Sequence, residues 1–582
     1  MDYALVAILG IVVVVVTAAF SRRLGVAAPL LLVVIGIGYS FIPGVPEIHI
    51  DSEVILLGVL PPLLYAAAIN VPVVDFRRNF GSIAALSVLL VIVSAVGTGF
   101  VLFAILPKLN LGAAIALGAV ISPTDVVAAT SIGKRLGLPP RLLSILEGEG
   151  LVNDATALVL LRSAIAASAL AASEFNVGAI IGDFAFSVVL AAAIGLVVGV
   201  VAVFVRRKLD EPILDTAISF AVPCIAYLPA EELGASGVIA VVAAGLYSGH
   251  HAVRFTPQSR ISERLNWRTL QFVLENGVFL VMGMQLAGIV ADVHTEDLSA
   301  DKAVYLGLLV TAILIALRFV FVWPLLGLLR GAERREALRL PRISEFVERV
   351  REGVGTTPRL QRRRDRIERV ADRRQNDIQQ LAGEGLSARG AVVIGWAGMR
   401  GVVTLAAAQS LPKDTPYQEQ LVLIAFTVAI VTLLLQGGTL PLVIRLTGVR
   451  GTDRAADRRE LAELLDEMAT AGIDVLDDPE FTLPHGQQVD AAVLKRVRHD
   501  TLLAAQSAWE RAEHADSDDG ILESPHQQYR DLRREVLQAE RVVLLEARSR
   551  GSYPSRILQR AQSLLDLEEA RLSQLDSGGR LD

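Results

Sequence analysis

The chain has 582 residues, of which 53% are hydrophobic and 20% charged, and its mean hydropathy is +0.50. This composition excludes an average soluble protein. The net charge of −6 averages two environments and identifies no partner: residues 1–330 and 390–447 are mostly apolar runs of membrane-spanning length, whereas 331–389 and 448–582 are densely charged.

Cys224 is the single cysteine, so no intrachain disulfide is possible. At the N-terminus the basic pair Arg22 and Arg23 follows the first apolar run instead of preceding it. That order predicts a retained signal anchor, not a cleaved secretory peptide. Runs of about 17–25 apolar residues predict spans near 3–20, 26–43, 54–72, 81–106, 111–133, 142–171, 179–205, 213–229, 234–249, 268–291, 303–328, 390–411 and 418–446. The connections alternate in charge. Arg22/Arg23, Arg77/Arg78, Lys134/Arg135/Arg141, Arg206/Arg207/Lys208, the Arg254–Arg268 loop and the Arg-rich 330–389 segment share one side. Glu47/Asp51/Glu53, Glu174, Glu231/Glu232 and Asp292–Asp301 share the other. The positive-inside rule then puts the N-terminus outside and the C-terminus in the cytoplasm.

Two of these thirteen spans cannot be continuous helices. The fifth contains Ser122-Pro123-Thr124-Asp125, where the proline lacks an N–H and disfavours helical geometry before it. The twelfth contains Gly395-Trp396-Ala397-Gly398-Met399-Arg400-Gly401. A membrane tolerates unwound backbone only where it packs in protein or lines a wet cavity. With the seventh span as a divider, both breaks fall fifth in a six-span repeat, and such repeats must be inverted. Matched breaks in inverted repeats point to the site of a secondary transporter. The fold expected is therefore an all-α membrane protein of about thirteen transmembrane helices in two inverted six-helix repeats, with broken fifth and twelfth helices and a helical cytoplasmic tail.

Carboxylates stand where a membrane helix should have none. Asp125 lies in the broken fifth span and Asp154 mid-way along the sixth, with Asn153 beside it and Glu147 and Glu149 upstream. An acid at mid-bilayer costs at least ~2.5 kcal/mol, so such residues are functional candidates. On a helix Glu149 and Asn153 share one face and Glu147 and Asp154 another. Gly150 leaves room beside Asp154. If the unwound fifth span crosses here, the Thr124 carbonyl, Asp125 and Asp154 converge on one small cation, for which oxygen ligands are suited. Burial favours the neutral form of a carboxyl, so one group holds a proton or a metal ion but not both. A site that does this and opens alternately to the two sides is an exchanger. With only one ionisable acid in Asn153-Asp154, one proton is exchanged per monovalent cation and no net charge moves. Glu275 and Arg318, opposite charges on the tenth and eleventh spans, are read as a second structural pair. Arg162 is expected to snorkel to the outer interface, Glu147 to lie toward a cytoplasmic funnel, and His250 and His251 to sit in a cytoplasmic loop.

In this order S-P-T-D, E-G-E-G-L-V-N-D and G-M-R-G resemble the bacterial sodium/proton antiporters of the monovalent cation:proton antiporter-1 family, relatives of the animal sodium/hydrogen exchangers. L-P-P-L-L-Y-A at 60–66, F-V-L-E-N-G-V-F-L-V-M-G at 272–283 and R-F-V-F-V-W at 318–323 support the resemblance, which spans about 1–447. The stretch 552–572 is similar to the tail of actinobacterial-type members. The resemblance implies Asp154 as the ion- and proton-binding acid, ligands from Thr124 and Asp125, with Asn153 beside them, and a Glu149–Arg400 pair. It also implies a homodimer in the bacterial plasma membrane. No catalytic residue or cofactor is expected beyond the transported sodium, potassium or lithium. Many relatives have Ser where this chain has Gly150 and an acid where it has Ala66, so two oxygen sources are missing.

The segment 331–389 reads as a solvated, Arg-rich helical connector able to touch anionic headgroups, with nucleic acid not expected as a partner so close to two spans. The tail 448–582 reads as amphipathic helices over 455–471, 489–514, 525–549 and 555–575, forming a regulatory or dimer-stabilising domain. Competing readings are a potassium/proton antiporter, a channel or organic-solute transporter, and an intramembrane aspartyl protease using two membrane acids as a dyad. The Asn153 neighbour and the lack of a G-x-G-D sequence count against the protease.

Overall fold

The computed structural model describes the chain except for residues 1, 44–50, 126, 169–176, 210, 294–297, 339–370, 372–374, 376–377, 379–385, 450, 452–453, 479–489, 514–524, 551–554 and 578–582. The described residues are helices and their connections, without strands. Most of the Arg-rich connector therefore lies outside the described residues. They form two compact units, Met1–Arg450 and Gly451–Asp582.

Every apolar range read from the sequence falls on a helix or on a pair of half-helices. Six helices among the described residues are individually long and apolar enough to cross a membrane: Phe80–Ile105, Gly182–Arg206, Pro212–Glu232, Pro257–Asp292, Ala300–Arg335 and Gln418–Thr447. Others are shorter, such as Ala28–Ser40 and Gly237–His250. Pro140–Ser168 is long, but its charged side chains include Arg141, Glu147, Glu149, Asp154 and Arg162. The charges on Pro140–Ser168 are tolerated where the helix is enclosed by others, as at the buried Arg141 and Glu149. At the opposite extreme, Gly182–Arg206 is only 28% buried and turns Phe186, Val189 and Val197 outward.

The fifth range divides into Leu111–Ile121 and Val127–Leu136, and the twelfth into Ala388–Trp396 and Val402–Gln409. Both interruptions lie where proline and glycine were expected to unwind the chain. Half-helices of 8–11 residues are too short to cross a ~30 Å core alone.

Arg206, expected among the loop cations, is fully buried. Asp215 accepts from its Nε at 2.7 Å and from Nη2 at 3.0 Å, Glu263 lies 2.9 Å from Nη2, and the Phe255 ring centre is 4.3 Å from the guanidinium carbon. This cluster ties the ends of three helices, Val177–Arg206, Pro212–Glu232 and Pro257–Met284.

In the second unit, Arg454–Asp477 packs on Ala491–Glu513 through Ala462 and Ala508. Pro525–Arg550 lies along Ser555–Ser577, joined by Arg533–Glu568 at 2.6 Å and Arg541–Glu569 at 2.8 Å. All four helices lie where amphipathic spacing placed them.

Candidate functional site

The two unwound segments cross, and each satisfies the backbone groups the other leaves open. In a continuous helix the Asp125 N–H would donate to the Ile121 carbonyl. Here it donates to the Met399 carbonyl at 2.7 Å, while Arg400 Nε donates to the Ile121 carbonyl at 3.0 Å. Arg400 also donates to the Gly398 carbonyl, and its own N–H donates to Thr432 Oγ1 at 3.0 Å. Such pairing is what allows non-helical backbone at membrane depth. The cation of Arg400 sits at the C-terminus of Leu111–Ile121, and the anion of Asp125 at the N-terminus of Val127–Leu136, where its Oδ1 accepts from the Val127 N–H at 2.9 Å. Both charges face the helix ends that favour them.

The breaks approach closely because one residue lacks a side chain. A Cβ placed on Gly401 would lie 2.2 Å from Asp125 Oδ2.

The helix Pro140–Ser168 clasps this crossing. Glu149 Oε1 accepts from Thr124 Oγ1 at 2.7 Å, and Asn153 Nδ2 donates to the Thr124 carbonyl at 2.8 Å and to Thr124 Oγ1 at 3.0 Å. Glu149, Asn153 and Thr124 are all buried. The Asn153 Oδ1 is buried without a hydrogen-bond partner among the described residues. Asp154, on the next residue, is only half-buried and has no hydrogen-bond partner among the described residues. Its carboxyl is within electrostatic reach of Asp125. Asp154, Asp125, Thr124 and Asn153 are thus brought together.

Two expected pairs are not formed. Glu149 binds Arg318, not Arg400: Nη1 and Nη2 donate to its two oxygens at 2.6 and 2.9 Å, and Arg318 Nε donates to the Ile394 carbonyl at 3.0 Å. Ile394 is in the last turn of Ala388–Trp396, so Arg318 closes one half-helix as Arg400 closes the other. Glu275 therefore has no Arg318 to pair with, and its Oε1 accepts from Gln271 at 2.6 Å. Near the site Glu147 pairs with Lys134 at 2.8 Å. Arg162, expected to snorkel to the outer interface, is half-exposed and forms an ion pair with Glu231, one of the acids assigned to that side. What sequence reasoning missed is the Met399 carbonyl and the true partner of Arg318. A lone arginine in an apolar span demands an acid, but two acids were available and spacing alone did not choose.

Two unwound helices crossing beside a pair of half-buried carboxyls define an ion transporter of the broken-helix kind. Comparison with known proteins narrows the class. Residues 10–446 match the model of the transmembrane sodium/hydrogen exchanger family, and the chain belongs to that family. It is 30% identical over 580 residues to an uncharacterised sodium/proton exchanger of Mycobacterium tuberculosis, covering 98% of this chain and 96% of that one. It is 28% identical to the sodium/proton antiporter ApNhaP of Aphanothece halophytica over 75% of this chain and 72% of the relative. It is 27% identical to a sodium, potassium, lithium and rubidium/proton antiporter of Bacillus pumilus over 72% and 58% respectively. The fold is like that of the sodium/proton antiporter MjNhaP1 of Methanocaldococcus jannaschii, with a TM-score of 0.56, 16% identity, and coverage of 77% of this chain and all of that one.

Proposed function

We propose that the protein exchanges sodium for protons across the bacterial plasma membrane, with Asp154 as the group that carries one or the other. The observation that carries this reading is the state of Asp154: a carboxyl without a hydrogen-bond partner among the described residues, within electrostatic reach of Asp125, where two unwound helices meet. A carboxyl left free in such a place costs stability that only a ligand recovers. Around the cation stand the Asp154 and Asp125 carboxylates, the orphaned Asn153 Oδ1 and the Thr124 carbonyl, whose first lone pair is already used by Asn153. All are hard oxygen donors suited to an alkali ion.

Asn153 cannot ionise, so exchange through Asp154 is one proton per cation and moves no charge; such a protein serves pH and cation homeostasis. No cofactor takes part. In this reading thirteen spans cross the membrane, six on either side of the seventh as inverted repeats, with the N-terminus outside, the tail in the cytoplasm and the site near the midplane; the family resemblance supports a homodimer. Potassium or lithium competes for the same donors, since Gly150 and Ala66 supply no oxygen.

Proteoliposomes loaded with a pH dye test this. Sodium added outside should dequench the dye, and Asp154→Asn should abolish the response. Unchanged dequenching in that variant, or currents that scale with transport, would remove the assignment. Sodium, potassium and lithium compared side by side, in wild type and Gly150→Ser, decide the cation.

A further inference from the structure

The helix that carries Asp154 runs on to an ion pair that exchange chemistry does not use. Asp154, Leu158 and Arg162 follow one another at four-residue steps and form one stripe along Pro140–Ser168. Leu158 is half-buried and packs against two separate apolar cores. One core holds Leu161 and Ala164 of the same helix with Leu405 and Ala408 of the broken twelfth. The other holds Tyr227, Ala230 and Val238. Leu56 also packs against both. One turn past Leu158, the half-exposed Arg162 reaches across to Glu231, at the end of Pro212–Glu232. Glu231 Oε1 accepts from the Gly237 N–H at 2.9 Å, so the N-terminus of Gly237–His250 fixes the acceptor.

A second link lies on the same side of the crossing. The start of Leu111–Ile121 meets the end of the Asp154 helix, where a Cβ on Gly112 would lie 2.8 Å from Ser168 Cα, and Val402–Gln409 packs beside Leu111–Ile121. At its end Gln409 Nε2 donates to Gln285 Oε1 at 3.3 Å. Gln285 follows a helix seated on Ala28–Ser40, since a Cβ on Gly283 would lie 2.4 Å from the Val33 carbonyl. Two facing amides can make two such bonds. Here Gln285 Nε2 and Gln409 Oε1 are buried without a partner among the described residues, so the link is half made. Lys134 and Glu147 meet at the opposite end, seven residues before Asp154.

We propose that these contacts are a latch. Leu158 and Leu56 form an apolar seal on one side of Asp154, Arg162–Glu231 and Gln409–Gln285 hold it shut in this conformation, and both links part when the site opens to that side, the one the charge alternation assigns to the outside. The inference rests on the exchange reading, which needs a site open to one side at a time. A half-exposed ion pair is a weak bias, and so is one long amide bond. A closure broken and remade in every cycle requires weak bonds of this kind.

Thiol accessibility reads the seal directly. With Cys224, the single cysteine, replaced by serine, Leu158→Cys is labelled in intact cells by a membrane-impermeant methanethiosulfonate added outside. Glu231→Gln should raise the labelling rate about two- to fivefold, and Arg162→Gln should match it. Exchanging the charges, Arg162→Glu with Glu231→Arg, should return the rate to that of the parent. Either single variant suffices where the other does not reach the membrane. Single variants labelled at the parent rate, or a charge exchange labelled as fast as they are, overturn the latch. Gln285→Leu should add to the effect of Glu231→Gln, and no added labelling there overturns the amide link alone. Asp154→Asn, read by exchange in proteoliposomes, separates the two readings. Retained exchange overturns the site, whereas the labelling contrast does not pass through Asp154 and judges the latch by itself.

Discussion

Arg318 grips Glu149 through both terminal nitrogens, at 2.6 and 2.9 Å, and both side chains are almost wholly enclosed. The pair joins four spans at once, because Glu149 also accepts from Thr124 of the broken fifth and Arg318, itself on Ala300–Ala337, also donates to Ile394 of the broken twelfth. One ion pair thus fixes the carboxylate-bearing helix to both broken helices.

Glu149→Gln should therefore act on stability first. It leaves a buried guanidinium with half its partner, and breaking such a pair costs roughly 3–5 kcal/mol. Thermal unfolding in detergent should show a drop of several degrees. Arg318→Lys should recover little, since an ammonium cannot make the two parallel bonds. An unshifted midpoint in Glu149→Gln would mean the pair adds nothing.

The architecture was legible in the sequence to different depths. Pro123 and the glycines around Arg400 announce both unwound segments, because proline's missing N–H and glycine's backbone freedom act locally. The four amphipathic tail helices were legible for the same reason: their period is local. Pairing was not. Whether Glu149 meets Arg318 or Arg400 depends on how helices far apart in sequence are turned toward each other, and both arginines lie close to it. The burial of Arg206 escaped detection because a basic residue at a helix end looks the same from sequence whether it faces headgroups or is folded back on Asp215 and Glu263. Asp154, Asp125, Asn153 and Thr124 were legible as a group since acids and amides in apolar runs have few bland explanations.

Gly401→Ala tests how closely the two breaks must approach. The added methyl would meet Asp125 Oδ2 at 2.2 Å, a distance no contact tolerates, so the two segments must part. Overpacking of this kind costs about 1–3 kcal/mol, which a protein of this size survives. The exchange rate should fall much further, on the order of a hundredfold, because a displacement of ~1 Å at a positioned group has that effect. Exchange and melting temperature measured on the same preparation should therefore diverge. Wild-type exchange in Gly401→Ala would show that Asp125 need not stand where it does.

Arg206→Met supplies the converse case. Its removal leaves Asp215 and Glu263 buried against each other without a counter-ion, and the destabilisation should again be roughly 3–5 kcal/mol. None of these groups belongs to the Asp154 site, so protein that survives extraction should bind sodium with wild-type KM. A changed KM would show that the cluster communicates with the site. Double substitution of Arg206→Met with Asp215→Asn should restore part of the lost stability, because the stranded charge is removed with its partner.

The pH dependence of sodium affinity follows from competition at one carboxyl. If the proton and the cation exclude each other at Asp154, the protonated form binds no sodium, and acidification must raise the apparent KM without lowering the rate at saturating sodium. The sign is fixed: affinity is full where the group is deprotonated and is lost as pH falls through its titration. On the acid side each pH unit should raise KM about tenfold, the linkage slope for a single proton. Asp125 is within electrostatic reach, so the midpoint belongs to the pair and not to Asp154 alone, but the limiting slope still counts protons. Sodium KM measured in proteoliposomes from pH 9 to pH 6 should give log KM against pH with a limiting slope near −1. A limiting slope of −2 would mean two protons leave for each cation, and neutral one-for-one exchange would have to be abandoned; a flat line would place the proton and the cation on separate groups.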